Sequence, residues 1–214
     1  MPRGAVDENL PSAVVRRFVV VGQTASASGE FSTEDLPSSG GRIDVLLRCV
    51  RAALLVSHGV RREAVVYLVL RGGARAPRVL RISGKDAQFL RPDERSLALL
   101  VKKGLGVPTP KRAETFIDVK PGLSVAEGDL ECVLADAPGA AAYCLVEDGR
   151  DLRDEPLDAP DCLFVLGDHL GLDAPTRARL DALPCRVVSV GPVSLHTDDV
   201  VTLVGNELDR RGQR

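Results

Sequence analysis

Phe164-Val165-Leu166-Gly167-Asp168-His169-Leu170-Gly171 and Val187-Val188-Ser189-Val190-Gly191-Pro192-Val193-Ser194-Leu195-His196 decide the fold. Each is a short apolar run that ends in a glycine-centred polar cluster. Runs of this kind read as buried parallel strands. In an open α/β sheet the carboxyl edge of such strands is where ligands bind, and glycine leaves the main chain open to close approach there. Gly167 and Gly191 are therefore binding candidates, with Leu145, Leu166, Val190, Val193 and Leu195 as apolar walls of a small-molecule pocket. Spacing alone also allows two ordinary strand-to-helix turns.

Outward from these runs, strands and helices alternate. Phe18 to Gly22 reads as a first buried strand, followed by a long polar loop from Gln23 to Gly41. Arg42 to Val56 is helical, with Ile43, Leu46, Leu47, Val50, Leu54 and Leu55 on one stripe. Val65 to Leu70 is a second buried strand, and the alternation in Arg78 to Ser83 predicts a half-exposed one. Pro92-Asp93-Glu94-Arg95 opens a helix through Lys103, closed by Gly104-Leu105-Gly106. Residues 107–125 read as a connector with a possible strand at Phe116 to Val119, and Glu127 to Ala135 as a short helix. Ala141 to Val146, Cys162 to Leu166 and Arg186 to Val190 are buried strands, and Thr176 to Leu183 is a helix between the last two. Asp198 to Arg210 is ambiguous: Val200, Val201 and Leu203 to Val204 favour a strand, and the length favours a helix. The alternation predicts an α/β fold, a mostly parallel sheet flanked by helices. Residues 1–15 read as an N-terminal tail and residues 16–214 as a single domain.

Hydrophobic residues make up 44% of the 214 positions and charged residues 27%, so a packed core is expected. No apolar run approaches the roughly 20 residues of a membrane span. The cysteine count is odd, at 5, and no pair has metal-ligand spacing; the 3 histidines are scattered. The expectation is reduced, packed thiols in a cytoplasmic protein and no metal site. The net charge of −2 hides a split. Residues 1–120 carry 20 Lys and Arg against 12 Asp and Glu, and residues 121–214 carry 8 against 18. The basic half suits either a polyanionic partner or a solvated arginine-rich surface. Aromatics are only 3%, which argues against base-stacking platforms and leaves phosphate contacts to carry any affinity for nucleic acid. The chain lacks the G-x-S-x-G elbow, the Walker A loop, H-E-x-x-H, and G-x-G-x-x-G after its first strand.

Eight ordered segments resemble one family. They are F-V-V-V-G-Q-T-A-S-A-S-G-E-F from Phe18, G-R-I-D-V-L-L-R-C-V-R-A-A from Gly41, H-G-V-R from His58 and L-R-P-D-E-R-S from Leu90. E-D-G-R-D-L-R-D from Glu147, F-V-L-G-D-H-L-G from Phe164, V-G-P-V-S-L-H from Val190 and N-E-L-D-R from Asn206 complete the set. Together they resemble the SPOUT methyltransferases, and within them the tRNA pseudouridine N1-methyltransferase family, from Arg16 to about Arg210. The resemblance implies a C-terminal trefoil knot, an exception to the rule against threaded chains, together with a homodimer and a helix over Asp198 to Arg210. It implies S-adenosylmethionine as cofactor, tRNA as partner, and N1 of pseudouridine at position 54 of the T-loop as methyl acceptor. The implied cofactor contacts fall on Leu145, Gly167, Val190, Gly191 and Pro192, and on Val193, Ser194, Leu195 and Val200. Val200 departs from the family's pattern, with H-T-D-D-V where H-A-D-H-C is common, so any thiol role is absent.

On the acceptor side, the N1 proton must leave, which calls for a carboxylate or an anion-stabilising cation. Asp44 and Arg42, at the start of the first helix, are the candidate catalytic pair: Asp44 to take the proton or orient the base, Arg42 to hold the ring or a phosphate. Asp44 and Arg48 are also spaced to form a simple helix-start ion pair. Arg17, Arg48, Arg51, Arg71, Arg75, Arg95 and Lys102 are the candidate RNA contacts. Two rivals share these residues: a related enzyme acting on another tRNA or ribosomal-RNA base, and a non-catalytic dimeric RNA-binding protein with a vestigial cofactor pocket.

Overall fold

The computed structural model describes residues 14–109 and 115–212. Residues 1–13 of the expected tail, and part of the 107–125 connector, lie outside the described residues. In chain order the elements are β1 (Val15–Ser26), α1 (Leu36–Ser39), α2 (Ile43–Leu54), β2 (Leu55–Val56), β3 (Gly59–Val60), β4 (Ala64–Gly72) and β5 (Arg78–Ser83). There follow α3 (Glu94–Leu105), β6 (Ile117–Lys120), β7 (Leu123–Glu127), α4 (Leu130–Asp136), β8 (Ala141–Asp151), β9 (Asp161–Gly167), α5 (Ala174–Asp181), β10 (Cys185–Ser189) and α6 (Thr197–Gly212).

One eight-stranded sheet has the order β10-β8-β9-β1-β4-β5-β7-β6. From β10 to β4 every pair is parallel; from β4 to β6 every pair is antiparallel. β1 lies in the middle, and its side chains alternate between two cores. Phe18 and Val20 face α2, α3 and α6, whereas Val19 and Val21 face α4 and α5. Helices thus cover both faces, which is why these strands are apolar throughout. Phe18, Phe164 and Tyr143 stand in register on adjacent strands. Their rings stack at 5.6 Å and 5.1 Å between centroids, each pair contributing about 0.5–1.5 kcal/mol beyond area burial.

Several elements depart from the sequence-based expectation. β5 is not half-exposed: Arg78 is 0% exposed. Its guanidinium donates to the carbonyls of Ala27, Leu105 and Val107, and Nε lies 3.1 Å from Glu127 Oε1. The alternation was real, but the charged position points into backbone carbonyls rather than water. β7 lies where a connector was expected, because its short run Leu123 to Ala126 is flanked by Gly122 and Gly128. The polar loop after β1 contains α1, capped by the Asp35 side chain with Pro37 in its first turn. Gly104 lies inside α3, not beyond it, because a Cβ there would meet Leu80 at 2.6 Å. Asp198 to Arg210 is helical, within α6.

Candidate functional site

The middle of β8, the carboxyl ends of β9 and β10, the loop after β10 and the start of α6 enclose a cleft of about 710 Å³. That volume lies within the roughly 300–1,000 Å³ of small-molecule sites. Leu145 and Gly167 line it from the strands. Val190, Gly191, Val193, Ser194 and Leu195 line it from the loop, and Val200 from α6. Pro192, in the same loop, does not border it. Arg42, immediately before α2, and Arg48, within it, also line the cleft, although more than a hundred residues of sequence separate them from the loop.

The two glycines are required for different reasons. A Cβ at Gly167 would meet Gly171 backbone atoms at 2.2 Å, so the residue serves the tight turn that folds back on β9. Gly191 has φ of 155°, which L side chains rarely adopt, and a Cβ there would meet nothing within 4 Å. Gly191 alone presents bare main chain to open space. The surroundings are fastened. Ser189 Oγ donates to the Gly191 carbonyl at 2.8 Å, and Thr197 Oγ1 donates to the Gly167 carbonyl at 2.9 Å. Asp168 accepts from the backbone amides of Gln23 at 2.8 Å and Leu170 at 2.9 Å, fixing the end of β9 against the end of β1.

Arg42 precedes α2 with φ of 63°, a left-handed conformation uncommon outside glycine and asparagine. This turn aims its side chain back along the helix start. Nε donates to Asp44 Oδ1 at 3.1 Å and Nη2 to Oδ2 at 3.2 Å, while Arg48 Nη1 donates to Oδ2 at 3.0 Å. Asp44 is buried and does not line the cleft. Burial alone would push its carboxyl up; the hydrogen bonds and charges of Arg42 and Arg48 outweigh burial and hold it below the ordinary carboxylate range. The same hydrogen bonds push the Arg42 guanidinium up. Arg48 also lies 3.6 Å from Asp198 of α6 and 3.7 Å from Glu94 of α3, tying three helices together beside the cleft.

The other cationic candidates scatter. Arg17 is held by Asp161, at 2.7 Å from Nε, and by the Tyr67 hydroxyl. Arg71 donates to Asp129 at 2.7 Å and to Asp173 at 3.1 Å. Arg75 pairs with Glu127 at 3.2 Å. Lys102 donates to the Phe31 carbonyl at 2.6 Å and lies over its ring. Arg51 and Arg95 are exposed, and their side chains make no ion pair or hydrogen bond among the described residues.

Among the cleft residues that escaped the sequence reading are Arg177 and Glu147. Arg177 of α5 lines the cleft with no side-chain hydrogen bond or ion pair among the described residues. Glu147 of β8 accepts from Ser194 Oγ at 2.9 Å. Its own backbone amide and Ser194 hold its carboxyl below the ordinary range. Glu147 stands in the E-D-G-R-D-L-R-D segment, so a signal existed; Arg177 lies on a helix with no motif.

Among the described residues no His, Cys, Asp and Glu cluster could hold a metal ion, and no helix is long and apolar enough to cross a membrane. The chain resembles tRNA (pseudouridine(54)-N(1))-methyltransferase of Methanosarcina acetivorans, with 40% identity over 92% of each chain. It is 39% identical to the protein of that name from Halobacterium salinarum, over 92% of this chain and 98% of that one. Its fold is similar to the crystal structure of Archaeoglobus fulgidus Nep1 bound to S-adenosylhomocysteine, with a TM-score of 0.64, 17% identity, and coverage of 94% of this chain and 100% of that one. A family model described as "Putative SAM-dependent RNA methyltransferase" matches residues 15–213. With nearly the whole chain matched, and relatives at this identity, the protein belongs to that RNA methyltransferase family.

Proposed function

We propose that this protein transfers a methyl group from S-adenosylmethionine to N1 of pseudouridine 54 in the T-loop of tRNA. The observation that carries the reading is a single cleft in which the glycine-centred loops meet Arg42 and Arg48. The names of relatives at 40% and 39% identity support the choice of acceptor. The donor set fits the cofactor. Leu145, Val190, Leu195 and Val200 are apolar surface for an adenosine, Gly191 and Ser194 offer close polar contact, and Gly167 shapes the floor. Pro192 contributes through the fixed geometry of the loop. Arg177 and Glu147 complement a carboxylate and an ammonium, the two ends of an amino-acid tail.

Bound there, the cofactor supplies an electrophilic methyl on its sulfonium. The protein has to hold the acceptor in line and ease the loss of the N1 proton. Asp44 is a poor base, since its carboxylate is depressed and both oxygens accept from arginine. It acts as a positioning residue that orients Arg42, and Arg42 stabilises the anion developing on the ring. Arg51 and Arg95 are the RNA contacts this geometry favours.

The same reading carries the trefoil knot, one domain over residues 16–214, a cytoplasmic site of action implied by tRNA, and a homodimer. Leu170, Val193 and Leu203 are 60%, 64% and 40% exposed around the cleft and α6, and a second copy would cover them. The decisive experiment incubates tRNA carrying pseudouridine 54 with protein and methyl-labelled cofactor, followed by nucleoside mass spectrometry and mapping. Label on N1 at position 54 is expected. Label on another nucleotide overturns the acceptor, and cofactor binding without label overturns the enzyme.

A further inference from the structure

Phe89 is 95% exposed, the most exposed of the large hydrophobic side chains among the described residues. The other aromatic rings are occupied. Phe18, Phe31, Phe164, Tyr67 and Tyr143 are buried, and Phe116 lies against Tyr67 and Arg81. Phe89 also has φ of 57°, which is unfavourable for a bulky residue and persists where the surrounding structure fixes it. That structure is present: Leu90 packs against the main core, and Asp93 caps α3 by accepting from the Ser96 amide at 2.8 Å. An apolar ring is thus held out in water on a fastened loop.

Its surroundings carry both signs, with Asp86, Asp93 and Glu94 exposed alongside Lys85, Arg91 and Arg95. Arg91 and Arg95 are exposed, and neither side chain makes an ion pair or hydrogen bond among the described residues. Glu94, between Arg95 and the cap, lies 3.7 Å from Arg48, and Arg48 lines the cleft. The loop thus leads into a helix whose first residue contacts a cleft-lining arginine. A presented aromatic face beside exposed guanidinium groups that make no ion pair among the described residues is the chemistry that recognises an unpaired base with its phosphates.

We propose that Phe89 is a stacking platform for an unpaired base of the RNA near the methylated nucleotide, with Arg91 and Arg95 on the adjoining phosphates. The proposal takes its partner class from the methyltransferase reading, but its test needs no turnover. The chain has 0 Trp, so Phe89→Trp introduces a single indole fluorophore. Titration with tRNA, and with a T-arm stem-loop, should quench that fluorescence saturably at the dissociation constant found by filter binding. Phe89→Ala should weaken RNA binding roughly 5- to 100-fold, Phe89→Tyr should restore it, and S-adenosylhomocysteine affinity by calorimetry should stay unchanged. Wild-type protein that binds tRNA, with Phe89→Ala binding equally well and no quench in Phe89→Trp, overturns the platform and leaves the methyltransferase standing. Wild-type protein that binds cofactor but no RNA overturns both. Self-association lost in Phe89→Ala, with RNA affinity retained, assigns the ring to a contact between copies and overturns the proposal.

Discussion

At Asp44, two arginines leave the carboxylate no free direction toward the cleft. Asp44→Asn should therefore release Arg42, lowering kcat on the order of 10- to 100-fold, with cofactor affinity by calorimetry unchanged. It should also alter the response to acid. An unfolded aspartate titrates near about 3.9 and the folded one lower. The pair's stabilisation is thus fully present above that value and lost as pH falls through the folded pKa. Thermal midpoints between neutral pH and pH ~3 should show a shallower acid limb in Asp44→Asn than in wild type. The two loop glycines divide similarly. Gly167→Ala clashes with Gly171 backbone and should lower the thermal midpoint. Gly191→Ala strains φ and narrows the cleft, so S-adenosylhomocysteine affinity should fall at least tenfold with a smaller loss of stability. Both glycines were legible as special in the sequence. Their separate reasons were not, because a backbone clash and an open backbone leave the same residue behind.

Elements were legible where one face or both are apolar over several residues. β1, β4, β9 and α2 fall where periodicity places them. The expectation failed at β7 and β5. β7 is short and bounded by glycines; β5 buries a cation. Burial pushes the Arg78 guanidinium down from its usual range. Replacing it by Met would leave three carbonyls without their donor and Glu127 to Arg75 and Thr109, and should cost about 3–5 kcal/mol by chemical denaturation. Phe164→Ala empties the centre of the ring stack across three parallel strands, and should cost a similar 3–5 kcal/mol. A loss below about 1 kcal/mol in either variant would mean that neighbours collapse into the space.

Across the whole molecule, the basic first half closes on the acidic second half. Arg16 and Arg61 meet Asp209 of α6, Arg17 meets Asp161, Arg71 meets Asp129 and Asp173, and Arg81 meets Asp136. The charge asymmetry was readable from composition; its largest partner was the chain itself, which only the sheet order could reveal. Among the described residues of the first half, the exposed cations whose side chains make no ion pair or hydrogen bond are Arg51, Lys85, Arg91, Arg95 and Lys103. The salt dependence of tRNA binding should then be shallow, with log K falling against log salt at a slope of about 2–4. A slope near ten would return the internal pairs to the interface. The cleft draws one wall from α2 and the others from β8, β9, α5, β10 and α6, and Arg16 and Arg61 grip α6. During synthesis, then, the nascent chain cannot close its nucleotide pocket until α6 has left the ribosomal tunnel, however early α2 has folded.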